Sequence, residues 1–153
     1  MLRIKDLKEF LALAQSQIPA IKDTLMVASE TRYARKARDI RHEGDDVFLI
    51  ALLPGARPLS NDEDNVRFGN NLSFMCIRKL DGNAGDDAYT EAFEISQDAT
   101  LALFKFIHDQ TSNFEGHCVF KHFVMSSLQI LPVENFHQTN GWDLSISLKT
   151  NFK

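Results

Sequence analysis

Cysteine and histidine are the residue types that most often make nucleophiles and metal ligands, and they cluster once in this chain. His117, Cys118 and His122 lie close together in the sequence. Cys118 and His122 are four residues apart, so on a strand their Cα atoms lie about 13 Å apart and cannot form a nucleophile–base pair. Together with Cys76, these residues match no structural zinc class. We therefore predict neither a thiol dyad nor a zinc site.

Hydroxyl and carboxylate chemistry leaves no recognisable pattern either. Ser126 and Ser127 lack the Gly-x-Ser-x-Gly turn that exposes a nucleophilic serine. There is no P-loop and no Gly-x-Gly-x-x-Gly, and the acidic run 62–64 lacks the spacing of a calcium loop. Two carboxylates can meet in a fold without leaving a pattern, but nothing singles out a pair. His108, near the end of a predicted helix, is expected to interact with the helix dipole. We predict a protein that is not an enzyme and has no cofactor and no metal.

The strongest local concentration of charge is basic. Five of the seventeen basic residues lie within ten positions. They are Arg32, Arg35, Lys36, Arg38 and Arg41. One interpretation is a solvated helix or loop whose charges pair with nearby acids. The other is a contact for an acidic partner, either a protein or a nucleic-acid backbone, although Tyr33 alone is too little for a base-stacking platform.

Size and composition set limits on the protein class. A chain of 153 residues is expected to form one domain over 1–153. A net charge of −4 argues against a general nucleic-acid binder. Two cysteines make no disulfide framework and fit a reducing compartment. No apolar run is long enough for a membrane span, and charges interrupt residues 1–6, so we predict synthesis in the cytoplasm without a signal peptide.

Hydrophobic periodicity predicts two helices. Apolar residues repeat at i, i+3, i+4, i+7 over 4–17, which predicts an amphipathic helix. The main helix is predicted over 88–111, with Asp87 as candidate N-cap. A competing interpretation makes 88–95 a strand, because its side chains also alternate, whereas 97–110 is helical in both.

The strands follow from apolar runs and turn residues. The run 47–53 is apolar throughout and ends at a Pro-Gly pair, which predicts a central strand buried on both faces. The next strand is predicted over 71–80, after a polar loop over 54–70 that is long for a compact domain. Residues 20–29 are ambiguous between a helix and a strand, and we favour the strand.

The end of the chain predicts a hairpin with arms over 118–133 and 142–149. The second arm alternates strictly between apolar and polar residues, which indicates a strand with one buried face. Ser126-Ser127 is predicted to mark a bulge or a bend in the first arm. Trp142 is expected in the core more than as a ligand-stacking ring. The side chains predicted to face the 88–111 helix are Leu144, Ile146 and Leu148.

These elements define an α+β fold. We predict a mainly antiparallel sheet of about four to six strands, packed against helices at about 4–17 and 88–111 and closed by the C-terminal hairpin. The ending resembles that of the tail-terminator, or tail-completion, proteins of tailed phages and of the cap proteins of phage-tail-like contractile injection systems. The residues that carry the resemblance are Leu131-Pro132-Val133 and Asn140-Gly141-Trp142-Asp143-Leu144-Ser145-Ile146-Ser147-Leu148. It covers about thirty residues in motif and the rest in element order.

The resemblance implies a structural subunit that forms a ring, with six copies as the expected number, and stops the growth of a tail tube. The implied partners are further copies of the chain and tube or sheath subunits, with no membrane, and with nucleic acid only where a genome passes through the ring. The basic segment 30–41 and the loop 54–70 depart from the family pattern, so the resemblance assigns neither. By their charge alone, the basic residues 32, 35, 36, 38 and 41 are candidates for the partner interface. On the second arm, Asp143, Ser145, Ser147 and Lys149 are expected to be wet or between subunits.

Overall fold

The computed structural model describes residues 2–37, 46–59, 67–80, 85–112 and 123–151. The described residues form three helices and six strands, which confirms the predicted α+β class. In chain order these are α1 (Ile4–Gln17), β1 (Ile21–Val27), α2 (Glu30–Ala37), β2 (Val47–Leu52), β3 (Gly55–Pro58), β4 (Arg67–Lys79), α3 (Asp86–Ser112), β5 (Phe123–Val133) and β6 (Thr139–Asn151).

The six strands form one mixed sheet. Its order is β1-β2-β4-β6-β5, and β3 pairs with the first half of β4. β1 and β2 are parallel, and every other pairing is antiparallel. The favoured strand within 20–29 and the central position of 47–53 are both confirmed, because β2 lies between β1 and β4.

The first face of the sheet, defined here as the one that carries α1 and α3, holds the main core. The apolar stripe of α1 is buried, and the Phe10 ring packs on Phe74 of β4 at 5.5 Å and on Phe106 of α3 at 5.7 Å. Burying a side chain of this size contributes about 1.5–3 kcal/mol. The side chains of β6 in this core are Leu144, Ile146 and Leu148, as predicted.

The second face, opposite α1 and α3, is apolar at one end and polar at the other. Its apolar end forms a smaller core in which Tyr33 of α2 packs with Ile50, Met75 and Ile77. The polar end carries the odd-numbered residues of β6, because successive side chains of a strand point to opposite faces. α2 therefore covers only part of this face.

The predicted loop over 54–70 is wrong at both of its ends. Residues 55–58 form β3, and residues 67–70 belong to β4. Turn-type residues occur in these strands because tertiary hydrogen bonds satisfy them. Asn70 is fully buried, and its amide binds the Leu2 N–H at 2.9 Å and the Thr150 hydroxyl at 2.9 Å.

α3 is one continuous helix, so the strand alternative for 88–95 is wrong. The helix begins at Asp86, with the Tyr89 N–H bonded to the Gly85 carbonyl, and Asp87 lies in the first turn instead of at the N-cap. An aspartate in the first turn still stabilises the helix through the dipole. The buried side chains of α3 are Ala92, Ser96, Ala99, Thr100, Leu103 and Ile107.

β5 and β6 form the predicted hairpin, and β5 carries the predicted bulge. The pairing register shifts between Val124 and Gln129, so the strand changes face there. As a result Phe123 and Ile130 both pack on the main core although they differ in parity. The first residues of the predicted arm, 118–122, lie outside the described part of the chain.

Candidate interaction surfaces

The predicted interface residues separate into two places. Arg32 is exposed on α2, and Arg35 and Lys36 follow at i+3 and i+4 in the same helix. Arg38 and Arg41 lie outside the described residues. Asp143, Ser145 and Ser147 are half-buried on the polar end of the second face, and Lys149 is exposed beyond them.

Hydroxyl groups surround the carboxylate at this polar end. The Ser73 hydroxyl on β4 donates to one oxygen of Asp143, and the Ser145 hydroxyl donates to the other at 2.7 Å. One step along the strands, the Ser147 hydroxyl donates to the Asn71 amide oxygen at 2.9 Å. These side chains come together because Ser73 faces Ser145, and Asn71 faces Ser147, across the β4–β6 ladder.

This network solvates the Asp143 carboxylate and does not activate a serine nucleophile. Both serine protons point to Asp143, and the cluster contains neither histidine nor lysine to act as a base. A shallow groove of about 490 Å³ runs over it, lined on one side by Leu52 and Leu53 of the β2 end. The arrangement offers hydrogen bonds to a polar partner.

One aromatic side chain holds α2 on the sheet. Tyr33 is fully buried, and its ring stacks on Phe136 at 4.6 Å. Its hydroxyl lies 2.7 Å from that of Thr139, which itself donates to the Phe136 carbonyl, so Tyr33 is the donor. Burial raises the pKa of Tyr33 to about 12. The sequence pattern gave no reason to expect this anchor, because the other residues of α2 are polar or small.

The turn between β5 and β6, on which Tyr33 packs, has an unusual backbone. Asn135, His137 and Gln138 all have left-handed φ angles, between 52° and 64°. A non-glycine residue in this region costs about 1–2 kcal/mol. The turn also reaches the first face, where Tyr89 of α3 donates to Glu134 at 2.7 Å, and this hydrogen bond raises the pKa of Tyr89. The β5–β6 turn thus connects both helices.

The two edges of the sheet differ. At the β1 edge, Lys22 is exposed and its carbonyl accepts a hydrogen bond from Gln15 at 2.6 Å, so this edge is charged and capped. β5, at the other edge, has no charged residue. It exposes Met125 by 49% and Leu131 by 55%. Pro132 and the bulge limit backbone pairing there, which leaves the apolar side chains as the available contacts.

The outer side of α3 is acidic. Asp87, Glu91, Glu94 and Asp98 are all exposed, and steps of four, three and four residues place them in one stripe, which Leu101 continues with 50% of its surface exposed. None of the four carboxylates forms an ion pair with a described residue. Each like-charge neighbour pair costs a helix about 0.2–0.5 kcal/mol. The spacing of these four acids is present in the sequence and could have been found there.

Three other residues that the sequence analysis considered for chemistry or ligand binding are described by the structure. Burial raises the pKa of Cys76 to about 12, so this thiol stays protonated and unreactive at neutral pH. Trp142 is half-buried, packs edge-on against Phe93 and donates to the Phe93 carbonyl at 3.0 Å, which ties β6 to α3. His108 is exposed near the end of α3, 3.8 Å from Asp109. His117, Cys118 and His122 lie outside the described residues.

No family model and no curated protein matches this chain. Within the described ranges, no group of three His, Cys, Asp or Glu side chains is placed to hold a metal ion. None of the described helices combines the length and the apolar character needed to cross a membrane.

Proposed function

We propose that this chain is a non-enzymatic assembly subunit that forms a ring, of six copies in the expected case, at the end of a phage-like tail tube and stops its growth. Its place would be a virion or an injection-system particle. The partners are other copies of the chain and the tube or sheath. The resemblance of the C-terminal hairpin motivates the proposal, and the fold is of the α+β class that it implies, with β5 and β6 as the terminal hairpin.

The observation that carries the proposal is the uncharged edge strand β5. Met125 and Leu131 are large apolar side chains, each about half exposed, on a strand that lacks the charges that usually protect a sheet edge. Exposed apolar side chains grouped on one element favour contact with another protein. The proline-containing end of β5 also belongs to the segment that carries the resemblance.

The experiment is a capping assay with purified tail tubes. Wild-type protein should bind tube ends as rings in negative-stain images and fix the tube length. Leu131→Asp should abolish end binding, because the carboxylate would be desolvated in an apolar contact. Ile4→Asp is the matched control, since Ile4 is 54% exposed and an acid at a helix start is favourable. Wild-type protein that leaves tube length unchanged would refute the proposal.

The groove over Ser73 and Ser145 supports a second candidate, a module that binds a small polar ligand. Its volume of about 490 Å³ is within the range of ligand pockets, roughly 300–1,000 Å³. Titration of isotope-labelled protein with a library of polyols and amides would test it. Shifts confined to Ser145 and Gln129 would support binding there, and an unchanged spectrum would exclude it for those compounds.

A further inference from the structure

We infer that α2 of one copy docks on the outer side of α3 of a second copy, so that basic and acidic helices join neighbours in the ring. This inference rests on the proposed function, which requires contacts between copies. It names the two surfaces that meet, which belong to α2 and α3 and include no residue of the apolar edge strand β5.

The acceptor surface is the α3 stripe, formed by Asp87, Glu91, Glu94, Asp98 and Leu101. All five side chains are exposed, and the only exposed large apolar side chain of α3 lies in line with the carboxylates. The dipole of the helix accounts for acids in its first turn, but Glu91, Glu94 and Asp98 lie beyond that turn. A cationic partner would relieve their mutual repulsion.

The donor surface is α2. Arg32 is exposed and forms no ion pair with any residue in the described ranges, and Arg35 and Lys36 follow it at helical spacing. Tyr33 fixes the helix to the sheet by its stack on Phe136 and its hydrogen bond to Thr139. The basic helix is thus held against the sheet by Tyr33. Arginine side chains can pair with carboxylates while their methylene stems cover an apolar residue such as Leu101.

The positions of the two helices decide which copy they bind. α2 packs on the second face of the sheet and α3 on the first, so the β-sheet separates their outer sides. Docking between different patches on two copies is heterologous, and a heterologous contact produces a closed ring when its rotation closes. An acidic protein from elsewhere would explain α2 but not the stripe on α3, whereas a second copy explains both.

The experiment is a charge swap, followed by sedimentation velocity and negative stain at low salt. Arg32→Glu with Arg35→Glu should lower the ring population roughly tenfold or more, and Glu91→Arg with Glu94→Arg should do the same. The variant with all four substitutions should recover rings, because the signs are exchanged and the pairing is kept. Lys5→Glu with Lys8→Glu on α1 makes the same change of net charge as the first variant and should leave the rings intact.

The outcomes separate this inference from the function on which it rests. Rings that persist in both reversed variants, or a fourfold variant that is folded but does not recover, would overturn the α2–α3 contact and leave the ring proposal standing. Loss of tube capping with intact rings in the α2 variant would assign α2 to the tube or to DNA and also overturn it. Wild-type protein that forms no rings alone or on tubes would refute both.

Discussion

Gly141 determines how closely β6 approaches β4. A Cβ atom at this position would lie 2.1 Å from the Cys76 carbonyl oxygen and 2.8 Å from the Ile77 Cα atom. Both contacts are with backbone, which cannot rotate away. The glycine of the Gly141-Trp142 pair, near the start of β6, is therefore explained by packing, independently of any resemblance.

Gly141→Ala is expected to lower the free energy of unfolding by about 3 kcal/mol or more, because the β4–β6 ladder must shift. Urea unfolding followed by circular dichroism measures it. Gly55→Ala is the control, since nothing lies within 4 Å of a Cβ there, and it should change stability by less than about 0.5 kcal/mol. Equal losses in the two variants would contradict the close approach as the cause.

Tyr33 links stability to alkaline pH. Burial raises its pKa from 10.0 to about 12, so the unfolded chain ionises first as the pH rises. The stability that the protonated Tyr33 hydroxyl contributes is fully present below pH 10 and is lost between pH 10 and 12. At pH 11 the loss should be about 1.4 kcal/mol.

Tyr33→Phe removes this titration. The variant should be about 1 kcal/mol less stable than wild type at pH 8, because the hydrogen bond to Thr139 is lost, and the difference should vanish or reverse at pH 11. Other alkaline groups affect both proteins equally and cancel in the comparison. A stability difference that stays constant from pH 8 to pH 11 would show that Tyr33 ionises at its ordinary pKa.

Among the elements, β5 depends on one side chain for its irregular shape. Ser127 lies in the bulge, where its hydroxyl donates to the Val124 carbonyl and accepts a hydrogen bond from the Ser147 N–H at 2.8 Å. It replaces ladder bonds that the bulge interrupts. The apolar edge for which we propose a contact with the tube depends on this geometry.

Ser127→Ala should cost about 1–2 kcal/mol and accelerate hydrogen exchange at the Ser147 amide, which loses its acceptor. Ser126→Ala, at the neighbouring exposed position, should have little effect on either quantity. Amide exchange followed by NMR gives the site resolution. Slow exchange at Ser147 in the Ser127 variant would mean that the bulge is held by other contacts.

For the molecule as a whole, one sheet joins strands that range from residue 21 to residue 151. We expect cooperative unfolding, because the two helices on the first face share a core with β2, β4 and β6. Fluorescence of Trp142, the only tryptophan, and far-ultraviolet circular dichroism should show the same urea midpoint. An earlier midpoint for Trp142 would show that the hairpin unfolds separately, which would contradict the prediction of one domain.

Local pattern predicted the elements that carry a strong period of their own. The apolar stripe of α1 and the alternation of β6 each identify an element, because each side-chain order fits only one backbone geometry. The continuous apolar run of β2 identifies a strand by its short length and by the Pro-Gly pair that follows it. β3 gave no such signal, since Gly55, Ala56, Arg57 and Pro58 become a strand only by pairing with β4. The same holds for the burial of Asn70, which is satisfied by residues far away in the sequence.

The candidate surfaces divide in the same way. The basic residues of α2, the acidic stripe of α3 and the absence of charge in β5 can all be read from the sequence, because composition and spacing are local properties. Only the tertiary structure decided that α2 and α3 lie on opposite faces, that Tyr33 anchors α2 in the β5–β6 turn, and that β5 is an edge. Those facts depend on which strands pair across long separations, and strand pairing is fixed by the packing of the whole core and not by any one segment.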